Sequence, residues 1–203
     1  MRKNILSLFL LCGLAHFTYA QPKYWQQQAD YRIMVTLDDV HHMLRGEVEI
    51  TYTNNSPNDL DELYLHLWPN AYAGRSTVFN QELLKKGETK FQYADESQYG
   101  YIDSLSFKAY HPTTKQELVI PSLNYPNPKS KDVAILKLTQ ALKRGESLIL
   151  STPFREKLPY SFSRGGHYGQ SYQVTQWFPK MAMYDQSGWH PHHYTEQSEW
   201  QTL

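Results

Sequence analysis

Tyr31-Arg32-Ile33-Met34-Val35-Thr36-Leu37-Asp38 alternates its side chains, and Glu47-Val48-Glu49-Ile50-Thr51-Tyr52 alternates again after Gly46. Successive side chains of an extended chain point to opposite faces. Ile33, Val35 and Leu37 are therefore expected on one buried face and Val48, Ile50 and Tyr52 on that of the next strand, with Glu47, Glu49 and Thr51 turned to water. β-Branched residues at these positions favour strand over helix. Gly46 reads as the break between the two strands.

The same period continues along the chain. Leu63, Leu65 and Leu67 alternate with Tyr64 and His66, and further strands are expected at 102–109, 117–120, 133–138, 147–154 and 172–177. Asn54-Asn55-Ser56-Pro57, His111-Pro112, Tyr125-Pro126-Asn127-Pro128 and Arg144-Gly145-Glu146 separate them as turns. One helix interrupts the pattern at 77–86. It sets Val78 and Phe79 against Leu83, and Gly87 stands where a C-terminal cap belongs. The expected fold is all-β, a sandwich or curved antiparallel sheets with one short helix.

The chain has 203 residues, 20 basic and 20 acidic side chains, and 14% aromatic residues. Zero formal charge without a basic stripe argues against a nucleic-acid partner, because phosphate recognition leaves a clustered Lys/Arg excess. Arg2 and Lys3 precede an apolar run from Ile5 to Leu14, followed by Thr18-Tyr19-Ala20 and Gln21. This pattern predicts a secretory signal peptide over 1–20, cut after Ala20, and a periplasmic or secreted product. Cys12 is the one cysteine and would leave with that peptide, so residues 21–203 would work without disulfides. No later segment has the roughly 20 apolar residues that a membrane span needs.

The chemistry-bearing motifs are sparse. Nine histidines are present, yet none stands in His-Glu-x-x-His, the helical pairing that puts two imidazoles beside a carboxylate base. In His190-Pro191-His192-His193 an extended backbone would put His190 and His192 on one side, with Asp185, Glu196 or Glu199 needed as a third ligand. The preferred reading is polar loop histidines. His41, His42 and His66 are expected at exposed strand positions. No Gly-x-Ser-x-Gly elbow occurs. Gly165, Gly166 and Gly169 around His167-Tyr168 read as a flexible loop rather than a phosphate cradle. Asp38-Asp39, Asp61-Glu62 and Asp95-Glu96 read as turns and solvated faces. No catalytic residue and no metal ligand is assigned. The stretch 172–189 is dense in aromatics and methionine. It is either a last strand followed by a loop packed on the core, or a surface that meets another domain or a ligand.

Four stretches together resemble the N-terminal domain of the M1 family of zinc metallopeptidases, the aminopeptidase N and leukotriene A4 hydrolase group, and especially its secreted bacterial branch. They are Leu44-Arg45-Gly46-Glu47-Val48-Glu49-Ile50-Thr51-Tyr52, then Leu63-Tyr64-Leu65-His66-Leu67-Trp68-Pro69-Asn70-Ala71-Tyr72, then Gly100-Tyr101-Ile102-Asp103-Ser104-Leu105, and finally Gln176-Trp177-Phe178-Pro179-Lys180-Met181-Ala182 through Tyr184-Asp185 to Gly188-Trp189-His190-Pro191. The resemblance implies a saddle-shaped β domain over 21–203 that closes one side of a zinc enzyme's cleft. It implies substrate binding by Gln176 and a domain interface at Trp177, Phe178 and Trp189. Phe178 stands where the family's acidic residue is expected, and this departure bears on amine recognition. The zinc ligands and general base would belong to a catalytic domain absent from these 203 residues, so the chain alone is expected to be inactive and to hold no cofactor. Its expected partners are that domain, in the same polypeptide or a companion chain, and a peptide substrate. The alternative is a non-enzymatic envelope β-sandwich module that binds peptide or glycan.

Overall fold

The computed structural model describes residues 24–118 and 123–196. The expected signal peptide, Val119 and Ile120 of an expected strand, and Glu199 lie outside these residues. The hairpin read from the opening alternation is continuous, β1 (Gln28–Asp38) pairing antiparallel with β2 (Met43–Thr53) from Gln28↔Thr53 to Asp38↔Met43, but Val35 and Leu37, expected on a buried face, are exposed because nothing among the described residues covers the far end of this edge strand. Gly46 is not the expected break. It lies inside β2, opposite Val35 on one side and Phe154 on the other. A Cβ at this position would stand 2.9 Å from the Phe154 ring and 2.2 Å from the Met34 carbonyl oxygen. Glycine is needed here for close approach, not for a turn.

β9 (Ser147–Lys157) pairs with β2 along its whole length. On its other edge it receives β4 (Tyr101–Asp103) and β5 (Lys108–Tyr110), and β6 (Glu117–Leu118) extends the sheet beyond β5. The single strand expected at 102–109 is thus two, because Ser104 takes φ +62° and turns the chain out of the sheet. The second sheet runs β12 (Lys180–Met181), β3 (Leu60–His66), β8 (Val133–Leu142), β7 (Leu123–Asn124). The two sheets close on one core built from Val48, Ile50, Leu63, Leu65, Leu136 and Leu150, each essentially inaccessible to solvent. The fold is an all-β sandwich of antiparallel sheets that do not close into a barrel.

The expected helix is present as α1 (Val78–Lys85), with Thr77 Oγ1 accepting from Asn80 N and Gly87 at φ +81° just beyond its end. Phe79 and Leu83 are buried while Val78 stays half-buried. α1 packs against a 3-10 turn, Trp68–Tyr72, and with Phe91 and Tyr194 forms a separate aromatic core in which Phe79 meets Tyr72 at 5.0 Å and Tyr194 at 5.3 Å. Asn54 caps the other end of the sandwich. It is buried, and its amide donates to the Asn58 and Leu142 carbonyls and accepts from Ser56 and Gln27. No helix among the described residues is long and apolar enough to cross a membrane.

The stretch expected as a last strand at 172–177 is mostly irregular. β10 (Gly166–Tyr168) and β11 (Ser171–Gln173) form a short hairpin in place of the expected flexible glycine loop, turning at Gly169 with φ +57°. A second hairpin, β13 (Tyr184–Asp185) and β14 (Gly188–Trp189), follows β12.

Candidate functional site: a recess between Glu156 and Gln176

The inner face of β9 carries Leu148, Leu150, Thr152, Phe154 and Glu156 in strict alternation, and all are buried. Glu156 is only 2% exposed and its Oε2 has no hydrogen-bond partner. Burial pushes its carboxyl well above the ordinary 4.5. Glu156 lines a cavity of about 10 Å³ together with the aromatic residues Trp68, Tyr72 and Tyr194 and the polar residues Gln173, Thr175 and Gln176. A space of this size holds about one water molecule.

Gln176 enters the cavity from a strained turn. Its φ is +57°, a conformation that a non-glycine residue rarely adopts outside turns and functional sites. Its Oε1 is buried and, like Glu156 Oε2, lacks a partner. Gly166 allows the hairpin to close the recess: His167 N donates to the Pro159 carbonyl at 2.9 Å, and a Cβ on Gly166 would meet that oxygen at 2.5 Å. The hairpin is anchored to the β1–β2 turn. Tyr172 donates to the Asp39 carbonyl and accepts from His42 Nδ1 at 2.7 Å, while His42 and His167 stack 3.6 Å apart.

Behind Trp68 lies a second group of titratable side chains. His66 is fully buried, contrary to the exposed strand position expected of it, because both faces of β3 are covered at its end. It stacks on Trp68 at 4.6 Å, and its ring nitrogens make no hydrogen bond of good geometry, with the His190 backbone as the polar group near them. Burial lowers it to about 3, helped by the nearby Lys180 and His192. Lys180 Nζ sits 4.3 Å above the Trp68 ring, and burial lowers it to about 8. His41 and His42 lie in the turn after β1 rather than in a strand; His41 is exposed and His42 half-buried.

Of the expected site residues, Gln176 alone faces the cavity. Trp177 is half-buried against Phe154 at 5.8 Å, and Phe178 packs edge-on to Tyr31 at 5.4 Å. Trp189 lies on the other hairpin, half-buried against Tyr64 and Tyr184, and makes no ring contact with Trp177 or Phe178. The histidines of 190–193 do not converge. His190 faces Asp185 at 2.9 Å, and His193 Nδ1 donates to the buried Asp132 at 2.7 Å. Among the described residues no three His, Cys, Asp or Glu side chains come together as metal ligands. A zinc ion has no donor set in the recess either, and no step through a metal is assigned to these residues.

Sequence reasoning found Gln176 but not Glu156. The signal was available, since the alternation that starts at Leu148 puts Glu156 on the inner face when it is carried past Phe154. The recess offers two hydrogen-bond acceptors framed by aromatic rings, an arrangement suited to orienting a donor group. No family model matches this chain, and no curated protein matches it.

Proposed function

We propose that this chain is the cleft-lining N-terminal domain of a secreted M1-like zinc metallopeptidase, inactive by itself, in which Gln176 helps to position the N-terminal end of a peptide. The observation that carries this reading is the Gln176 carboxamide, held at positive φ with a buried, unpartnered oxygen in the lining of the recess. Strain at one residue, with an amide oxygen that has two lone pairs to offer, fits a group that a ligand can use. The four stretches that carry the family resemblance support it as well, because they fall on β2, on β3 with the 3-10 turn, on β4, and on the segment from Gln176 to β14. A further support is uncovered apolar surface at the end of the first hairpin, where Met34 lies on one face of β1, Val35 and Leu37 on the other and Val40 in the turn, with exposures of 64%, 44%, 43% and 75%. Such a surface suits a contact with another domain. The zinc of this reading belongs to that other domain.

The recess is also compatible with a stand-alone module for peptide or glycan, favoured by the fact that its acceptors and aromatic walls are complete within this chain. Sequencing the locus on both sides of the coding segment separates the two. The peptidase reading requires a His-Glu-x-x-His zinc domain in frame, in a shifted frame or in an adjoining gene. A locus without one leaves the binding module.

A further inference from the structure

Glu156 Oε2 and Gln176 Oε1 line the same water-sized cavity, and neither is satisfied by any group of the described protein. An ionised carboxylate and an amide oxygen are both acceptors, so two such atoms facing one small space repel unless a proton lies between them. Burying both without a partner is unfavourable, and more so for a charge. The cavity has room for one water and no charged side chain lines it. The other titratable groups that face it are Tyr72, from the 3-10 turn, and Tyr194, from the segment after β14. Lys180 and His66 stand behind Trp68. Leu44 and Ile102 flank Glu156 on the paired strands. The Tyr72 and Tyr194 hydroxyls are engaged with one another and with Ser163, which leaves the carboxyl itself as the donor.

We propose that Glu156 is a positioning residue: its protonated carboxyl donates, directly or through the single water the cavity holds, to Gln176 Oε1 and thereby keeps the 175–178 turn in its left-handed conformation. The proposal goes beyond the peptidase reading and rests on it only where it makes the orientation of Gln176 matter to a substrate. Ionisation of Glu156 removes the donor and leaves two acceptors facing one small space, so the turn relaxes. High burial of the carboxyl agrees with its being uncharged at neutral pH. Glu156 thus acts as a proton-controlled latch on Gln176, with Trp177 and Phe178 moving as the adjoining aromatic residues.

The test uses the purified chain, nuclear magnetic resonance of the Gln176 side-chain amide and the Trp177 indole, and the infrared carbonyl band of a protonated carboxyl. The wild-type protein should show that band at neutral pH. As pH rises, the band should disappear while the Gln176 and Trp177 signals shift together. Glu156→Gln keeps a donor, so it should retain the neutral-pH signals and lose the pH-dependent shift. Glu156→Leu should displace both signals at every pH. Absence of the protonated band at neutral pH, or a pH-dependent shift that survives in Glu156→Gln, would overturn the proposal. The infrared result decides it even where Glu156→Leu fails to fold. None of these readouts involves a peptide or zinc, so they fail or hold independently of the peptidase reading.

Discussion

His193 donates from Nδ1 to the buried carboxylate of Asp132 at 2.7 Å, and the next residue, Tyr194, donates its backbone N–H to the other oxygen of the same carboxylate at 2.8 Å. This pair ties the last described segment to the start of β8 and holds Tyr194 in the aromatic core and in the wall of the recess. Burial opposes ionisation of Asp132, but the hydrogen bonds from His193, Ser130 and Tyr194 outweigh it and hold the carboxyl below its ordinary 3.8. The same hydrogen bond raises His193 above 6.5. The Asp132 contribution is present above 3.8 and is lost as pH falls through its lower folded value. The His193 contribution is present below 6.5 and is lost as pH rises through its raised folded value. Thermal unfolding followed against pH should therefore show a loss above pH 6.5 that is absent in His193→Gln. Asp132→Asn should cost about 2–3 kcal/mol between pH 4 and 6.5. An unchanged alkaline limb in His193→Gln would refute the pair as a stabilising element.

Gly46 lies against the Phe154 ring and the Met34 carbonyl. Gly46→Ala should cost about 2–3 kcal/mol, lowering the melting temperature by roughly 5–10 °C. Because one of the two clashes is with backbone, Phe154→Leu in the same chain should restore only part of the loss. Full restoration would show that the ring alone decides the position.

How far such features could be read in the sequence depends on where their partners lie. β2, β3, β8 and β9 were legible because alternation is a local property, and α1 because its cap and its apolar spacing are local too. Gly46 reads locally as a break, because the reason for it is Phe154 on a distant strand. His66 was misread as exposed for a related cause: Trp68 and Lys180 cover the face of β3 that alternation assigns to water. Gln176 was found through the resemblance, but its positive φ was not, because nothing in Thr175-Gln176-Trp177 announces a left-handed residue. Glu156 was missed when the strand was ended at Phe154, two residues before the alternation itself stops.

The poorly hydrogen-bonded ring nitrogens of His66 are a second source of instability. Replacing it with an apolar ring removes them while keeping the stack on Trp68. His66→Phe should stabilise the protein by about 1 kcal/mol at pH 7. The gain should grow on acidification, because a folded value near 3 against an ordinary 6.5 means that the wild type loses stability as pH falls across that interval. Melting temperatures at pH 7 and pH 5 check this. A variant no more stable than wild type at pH 5 would show that the imidazole is satisfied in solution.

The apolar surface at the end of the first hairpin should make the purified chain self-associate at high concentration. Met34→Thr combined with Val40→Thr removes the two most exposed of these apolar side chains, so light scattering should then report a monomer. A wild-type chain that stays monodisperse would argue for the stand-alone module.

The proposed role, lining the cleft of a zinc peptidase without performing the hydrolysis, is open to a direct assay. The measurement is zinc-dependent release of the chromophore from an aminoacyl p-nitroanilide, by the purified chain alone and by the same chain with the His-Glu-x-x-His domain that the proposal requires at its locus. The account predicts no release by the chain alone, release by the combination, and at least a tenfold loss in the combination carrying Gln176→Ala, equivalent to about 1.4 kcal/mol of transition-state binding. Hydrolysis by the isolated chain, or a combination whose activity is indifferent to Gln176, would contradict it.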